Sequence, residues 1–180
     1  FHDIAELGHR DTFAFEERRY LTAFSQALER DQRDAAREII QDRAKSVWRH
    51  EPERAQVWKV AERCVALLNV AERIEQAWPE EAGTTGEMIA SYANGSAWCD
   101  LDRLDRLMEQ SIAECTECEE LEAAISRCRA RYRQVIDAIQ KRFLQAVETS
   151  GWPPEDVLRQ SQIFDRFIAP ALASREKVAY

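Results

Sequence analysis

Glycine and proline are scarce in this chain, which holds five of each in 180 residues. Sandwiches, barrels and phosphate-binding loops rely on glycine-rich turns, so the scarcity argues against those folds. Apolar runs of the ~18–20 residues that span a membrane are missing, and no signal-peptide pattern is found. The net charge of −8 disfavours a general binder of nucleic acid or of anionic membranes. We therefore expect a cytoplasmic protein without a membrane partner.

The usual catalytic motifs are also missing. The histidines His2, His9 and His50 lie far apart and outside any His-Glu-x-x-His pattern. No Gly-x-Ser-x-Gly nucleophile motif occurs, and Gly83-Thr-Thr-Gly86 lacks the lysine of a phosphate-binding loop. We therefore expect no catalytic residue in this chain.

Apolar residues make up 45% of the chain, which is enough to bury a core. They recur at three- and four-residue spacing between the few helix breakers, a period typical of amphipathic helices. The pattern predicts an all-α fold of about seven helices, with long antiparallel hairpins and no substantial sheet. We expect one module over residues 1–180, and a dimeric coiled coil stays open as an alternative.

The breakers also predict where the helices begin and end. A first helix covers residues 13–29. A second helix is capped by Asp31, and its Trp48 side chain faces the core. A third helix covers residues 52–77. Pro79, Gly83 and Gly86 indicate a loop before a short helix at 87–92. Between Gly95 and Gly151 we expect two helices, the second starting at a Thr116-x-x-Glu119 capping box and ending near Thr149. A last amphipathic helix precedes Pro170.

Five cysteines without a secretion signal indicate reduced thiols. Cys99, Cys115, Cys118 and Cys128 lie within thirty residues, which leaves a structural zinc site open as an alternative. Their spacing is not that of a zinc finger or ribbon, and Cys118 and Cys128 also fit the apolar stripe of a helix. A redox pair at Cys115 and Cys118 is disfavoured, because four neighbouring glutamates oppose thiolate formation. The sequence therefore favours core cysteines.

Two charged clusters need an interpretation. Asp100, Asp102 and Asp105 lack the glycine of a calcium loop, and on a helix Asp102 and Asp105 share a face with Arg106, which predicts an ion-pair face. Four arginines give two short rows that could contact phosphate or nucleic acid, or could neutralise the acidic helices beside them, with the glutamates of residues 114–122 nearby in sequence. We favour the neutralising role. The four are Arg127, Arg129, Arg131 and Arg133.

A series of different short motifs lies along the chain. They are Asp11-Thr-Phe-Ala-Phe-Glu-Glu, Ala35-Ala-Arg-Glu-Ile-Ile, Ser46-Val-Trp, Pro52-Glu-Arg, Ala61-Glu-Arg, Ala97-Trp, Asp102-Arg-Leu, Leu158-Arg-Gln, Phe164-Asp-Arg-Phe-Ile-Ala-Pro and Lys177-Val-Ala-Tyr. In this order they resemble the helical region of PglZ-type proteins, which belong to BREX phage-defence systems and carry an alkaline-phosphatase-like domain.

The resemblance implies that Val178–Tyr180 begin the first strand of a downstream phosphatase-like domain. That domain would bind a zinc-like pair of divalent metal ions, hydrolyse phosphate esters and contain all the catalytic residues. We therefore expect a non-catalytic helical scaffold that docks on that domain, through Phe164, Phe167 and Ile168, or on other defence proteins. Two alternatives stay open. The chain could form part of the hydrolase's groove for nucleic acid or another phosphoester, or it could be an unrelated helical adaptor.

Overall fold

The computed structural model describes residues 13–77, 83–93, 97–155 and 157–174. Within these ranges the chain forms seven helices and no strand, which confirms the all-α fold. The expectations for His2, His9, Pro79, Gly95 and the strand at Val178–Tyr180 lie outside the described residues. The helices are α1 (Ala14–Glu29), α2 (Arg33–Arg43), α3 (Pro52–Gln76), α4 (Thr85–Ala93), α5 (Ala97–Ala113), α6 (Glu122–Ser150) and α7 (160–173).

Helix α3 lies at the centre of the bundle. Its first residue is Pro52, whose missing N–H needs no partner in a first turn. A stripe of apolar residues at three- and four-residue spacing is buried throughout, and Trp58 and Leu67 on other faces are buried as well. A helix that is apolar on most of its circumference must be covered by neighbours, and α2, α5 and α6 pack against it. The stripe consists of Val57, Val60, Ala61, Cys64, Leu68, Ala71 and Ile74.

Contacts between side chains give the directions of the long helices. Gln56 near the start of α3 donates a hydrogen bond to the carbonyl of Ser111 near the end of α5, so these two helices are antiparallel. Arg129 in α6 pairs with Glu109 in α5, and Tyr132 donates to Asp102 further back in α5, so α5 and α6 are antiparallel too. Helices α3 and α6 therefore run parallel on either side of the same core.

The start and the end of α2 differ from the prediction. Asp31 does not cap α2, because its φ of 60° places it in a left-handed turn that Asp tolerates, and its carboxylate instead faces Arg127. Helix α2 ends at Arg43, and Trp48 lies in a separate 3-10 turn, Val47–His50. The Ser46 hydroxyl caps that turn by accepting a hydrogen bond from the Trp48 N–H at 3.3 Å.

Two further boundaries were predicted wrongly. The capping box at Thr116 and Glu119 is not formed, since a 3-10 turn at Glu119–Leu121 precedes α6, which begins at Glu122. Gly86 lies inside α4 and is buried, because α4 begins at Thr85. The end of α6 is close to the prediction, and Gly151 after it has a φ of 81°, in the region that favours glycine.

A buried polar network joins α1 to α2 and α3. Glu17 is fully buried, and its Oε1 accepts a hydrogen bond from Ser46 Oγ at 2.6 Å and faces Arg43 Nη1 at 3.4 Å. Its Oε2 accepts from Trp58 Nε1 at 2.8 Å. The Arg43 guanidinium lies 4.1 Å from the centre of the Tyr20 ring. The charge of Glu17 is thus compensated inside the protein.

Helix α7 continues beyond Pro170, where the sequence predicted its end. A proline inside a helix lacks its N–H and crowds the carbonyl four residues earlier. Here the turn Phe164–Ile168 has π-helical geometry, and the α-helical segment Ala169–Ala173 follows it. The wider π turn lies at the position where proline would otherwise break the helix.

Candidate interaction surface

The four cysteines proposed as an alternative zinc site are not brought together. Cys115 and Cys118 form a disulfide, which corrects the expectation of reduced thiols and the assignment of Cys118 to the helix stripe. Cys128 is buried in α6, and its Sγ lies 3.7 Å from the carbonyl oxygen of Cys64. Cys99 lies in α5 and is not in a disulfide. Across the residues that the structure describes, no three His, Cys, Asp or Glu side chains form a group that could hold a metal ion.

Cys64 of α3 is the buried neighbour of Cys128, and the spacing of the cysteines in the sequence did not indicate this contact. Its Sγ lies 3.9 Å from Met108 Sδ, so that α3, α5 and α6 meet at a cluster of sulfur atoms. The hydrogen bond with Cys128, and then burial, raise the pKa of the Cys64 thiol well above its usual value. A protonated, buried thiol is a poor nucleophile. We therefore assign Cys64 a role in core packing and not in chemistry.

The arginine run of α6 lies against other helices. Arg127 Nη2 pairs with Asp31 Oδ1 at 2.8 Å, and its Nη1 donates to the carbonyl of Glu29 at 3.3 Å. Arg131 pairs with Glu75 of α3 and donates to Gln134 at 2.8 Å. These two guanidiniums, with Arg33, border a polar cavity of about 290 Å³.

Arg129 and Arg133 complete the run. Arg129 forms a two-pronged pair with Glu109, with N–O distances of 2.6 and 2.7 Å. This hydrogen bond lowers the pKa of Glu109 and raises that of Arg129. Arg133 is exposed. Three of the four arginines thus face carboxylates as expected, but those carboxylates belong to Asp31, Glu75 and Glu109 and not to residues 114–122.

The acidic cluster of α5 has a different role from the predicted ion-pair face. Asp102 accepts hydrogen bonds from Tyr92 of α4 at 2.6 Å and from Tyr132 of α6 at 3.0 Å. Burial, and then the hydrogen bond to Asp102, raise the pKa of Tyr132 to about 12. Burial followed by Glu109 and Asp102 raises the pKa of Asp105. Asp100 pairs with Arg103 at 2.9 Å. The cluster therefore ties three helices together.

An apolar groove of about 500 Å³ opens between α4, α5 and α6. Sequence reasoning missed it, although the adjacent apolar pair Phe143-Leu144 cannot lie on one buried stripe and so signals an exposed apolar side chain. Leu144 is indeed exposed, and the Phe143 ring meets Trp152 edge to face at 5.9 Å. The lining residues are Met88, Ile89, Tyr92, Ala93, Trp98, Ile139, Gln140, Phe143 and Leu144.

The residues proposed for docking lie on α7. Phe164 and Phe167 have 52% and 54% of their surface exposed, whereas Ile168 is buried. Other large apolar side chains of this region are exposed in the same way, and α7 packs only sparsely on the other described helices. They are Leu158, Ile163 and Leu172.

A single histidine lies in the described ranges. This residue, His50, is exposed at the end of a 3-10 turn. No helix there combines the length and the apolar character that crossing a membrane requires.

Comparison with known proteins adds no relative. No family model, curated protein or solved structure matches this chain.

Proposed function

We propose that this chain is the non-catalytic helical scaffold of a PglZ-like phage-defence protein. Its α7 face would dock on a phosphatase-like domain that follows in the same polypeptide. The observation that carries the proposal is the exposure of Phe164 and Phe167 on a helix that packs only sparsely on the bundle. Clustered large apolar side chains that face water are typical of a surface that a partner covers.

The choice of partner rests on the motifs of the last third of the chain. The exposed apolar residues fall within Leu158-Arg-Gln and Phe164-Asp-Arg-Phe-Ile-Ala-Pro, the segments that resemble the PglZ region leading into the phosphatase domain. A helix next to that domain in the polypeptide is well placed to pack on it, because a short connection keeps the two at high effective concentration. The divalent metal pair and the hydrolysis of phosphate esters would belong to that domain.

A role as the wall of a nucleic-acid groove is supported less well. Binding to phosphate backbones depends on cationic side chains that release counterions. Arg127, Arg129 and Arg131 instead pair with carboxylates of neighbouring helices, which already neutralise them. The charges of the described residues therefore favour the scaffold.

The docking proposal can be tested in the full reading frame with Phe164→Glu/Phe167→Glu. Phe15→Glu, an equally exposed phenylalanine on α1, is the matched control. Charges on α7 should detach the two parts, seen as faster proteolysis between them and a larger radius in small-angle scattering. The control should behave as the wild type. Unchanged proteolysis and radius, or a reading frame without a phosphatase-like domain, would show that the proposal is wrong.

The assignment of hydrolysis to the downstream domain is tested by assaying phosphodiesterase and phosphatase activity with added Mg²⁺, Mn²⁺ or Zn²⁺. We expect activity in the full-length protein and none in residues 1–180. Activity of the 180-residue chain would contradict a non-catalytic scaffold.

A further inference from the structure

The Cys115–Cys118 disulfide lies in the connection between α5 and α6, outside regular helix. Both cysteines are half-buried and pack on the edge of the core, and Thr116 and Glu117 between them are exposed. A disulfide on an exposed connection can be reached by a thiol in solution without unfolding of the bundle. The disulfide differs in this respect from the sulfur atoms of Cys64, Met108 and Cys128, which are buried in the core.

The remaining cysteines do not compete for this chemistry in the folded protein. Cys64 and Cys128 are fully buried, and the hydrogen bond with Cys128, followed by burial, raises the pKa of the Cys64 thiol well above its usual value. Cys99 is partly exposed, but the length of α5 separates it in sequence from Cys115. Cys115 and Cys118 are therefore the pair on which reversible oxidation can act.

The connection that the disulfide closes is attached to two other helices. Glu114 accepts hydrogen bonds from Gln56 of α3 at 3.0 Å and from Gln110 at 2.9 Å. Glu117 pairs with Arg54 of α3 at 3.1 Å, and Glu120 with Arg18 of α1 at 3.6 Å. Glu117 lies inside the four-residue ring that the disulfide closes, and Glu114 and Glu120 lie on either side of it.

The neighbouring glutamates oppose thiolate formation, but the two cysteines are joined in the structure. We propose that Cys115 and Cys118 form a reversible redox site, opened by dithiol reductants, that sets the rigidity of the α5–α6 connection. A thiolate of the reductant attacks one sulfur and forms a mixed disulfide, and the other sulfur leaves as a thiolate and takes a proton. The second thiolate of the reductant then attacks its own mixed-disulfide sulfur. The reductant ends as a disulfide, and the protein gains two electrons and two protons as two thiols.

The site selects dithiols over monothiols. After a monothiol attacks, the freed cysteine lies beside the mixed disulfide and expels the monothiol again. The surrounding carboxylates slow reduction by either kind of thiol, because hydrogen bonds from Gln110 and Gln56 lower the pKa of Glu114 and keep it charged. A negative charge beside a leaving thiol disfavours its thiolate and slows reduction.

The first measurement counts thiols in the denatured protein after incubation of the native protein with each reagent. Oxidised protein should show three of the five thiols, because Cys64, Cys99 and Cys128 are not in a disulfide. Dithiothreitol should raise the count to five, and glutathione at equal thiol concentration should leave it near three. Five thiols after treatment with an oxidised dithiol, or a disulfide that dithiothreitol leaves intact, would overturn the proposal.

The second measurement compares hydrogen exchange and thermal unfolding of the two redox forms. Reduction should speed exchange of the amides of Glu114, Cys115 and Leu121, which the connection orders, and leave α3 unchanged. It should lower Tm by about 4–8 °C, the effect expected for a four-residue ring in a chain of this size.

Matched variants separate the site from the other thiols. Cys115→Ser and Cys118→Ser should each exchange like the reduced protein under both conditions, whereas Cys99→Ser should respond to dithiothreitol as the wild type does. Identical exchange and Tm in the two forms of the wild type would also overturn the proposal.

Discussion

Glu17 is a carboxylate without access to water, and three donors from the protein replace its hydration. Arg43, which supplies the balancing charge, is buried beside it with only 2% of its surface exposed. A buried charge is tolerated only while it is paired, so Glu17 depends on Arg43, whereas Arg43 also pairs with Asp42 at 3.2 Å. The sequence shows two ordinary charged residues at these positions, and only their burial distinguishes them.

We expect Glu17→Ala to lower the free energy of unfolding by about 2–4 kcal/mol, because it leaves the buried Ser46 hydroxyl and Trp58 N–H without their acceptor. Urea unfolding followed by circular dichroism measures the change. Glu38→Ala is the control, since Glu38 is exposed and a substitution there should change stability by less than about 0.5 kcal/mol. A loss at Glu17 no larger than at Glu38 would mean that the network does not stabilise the fold.

At the scale of the helices, Asp102 links α4, α5 and α6 through the hydroxyl groups of two tyrosines. Burial first and this hydrogen bond second raise the pKa of Tyr132 to about 12, above its usual value of 10.0. A raised pKa in the folded protein means that the folded state keeps the proton longer than the unfolded state does. The contribution of Tyr132 to stability is therefore complete below pH 10.0 and is lost as the pH rises towards about 12.

We expect the phenolate absorbance of Tyr132, taken as the difference between the wild type and Tyr132→Phe, to appear near pH 12. Asp102→Asn should move this absorbance to lower pH, because the amide removes the negative charge that opposes ionisation. Spectrophotometric titration of the native protein measures both. Asp100→Asn is the control, since Asp100 pairs with Arg103 and not with a tyrosine. A titration near pH 10.0 in the wild type would contradict the burial of this hydroxyl.

The helices themselves were the most predictable part of the structure. Helix α3 begins at Pro52 and ends one residue before the predicted end, and α6 ends beside Gly151, because these limits depend on residues at the limit itself. The join before α6 was predicted less well. Thr116 and Glu119 had the spacing of a capping box, but the disulfide between Cys115 and Cys118 gives this segment a different path.

Across the whole molecule, ion pairs connect helices that are distant in sequence. Arg33 pairs with Glu72 at 2.6 Å, and Arg129 and Arg131 pair with carboxylates of α5 and α3. Each such pair near the surface contributes only about 0–1 kcal/mol, so the buried core supplies most of the stability and the pairs set the register between helices.

We expect Arg127→Glu/Arg131→Glu to lower the free energy of unfolding by about 1–2 kcal/mol, since it sets like charges against Asp31 and Glu75. Retention on immobilised DNA at low salt should stay at the level of the wild type. Arg133→Glu, which changes an exposed arginine of the same helix, should leave both properties unchanged. A clear loss of retention in the double variant alone would assign these arginines to phosphate binding.

The sequence by itself determined that this protein is helical and where most helices lie. Those features follow from the spacing of apolar residues and from the positions of proline and glycine, which act within a few residues. The tertiary structure alone decided which charges are paired, which thiols are joined and which apolar side chains remain exposed. Ser25 and Ala124, for example, are hydrogen-bonded across 99 positions. Such contacts depend on how whole helices pack, and no local pattern specifies that.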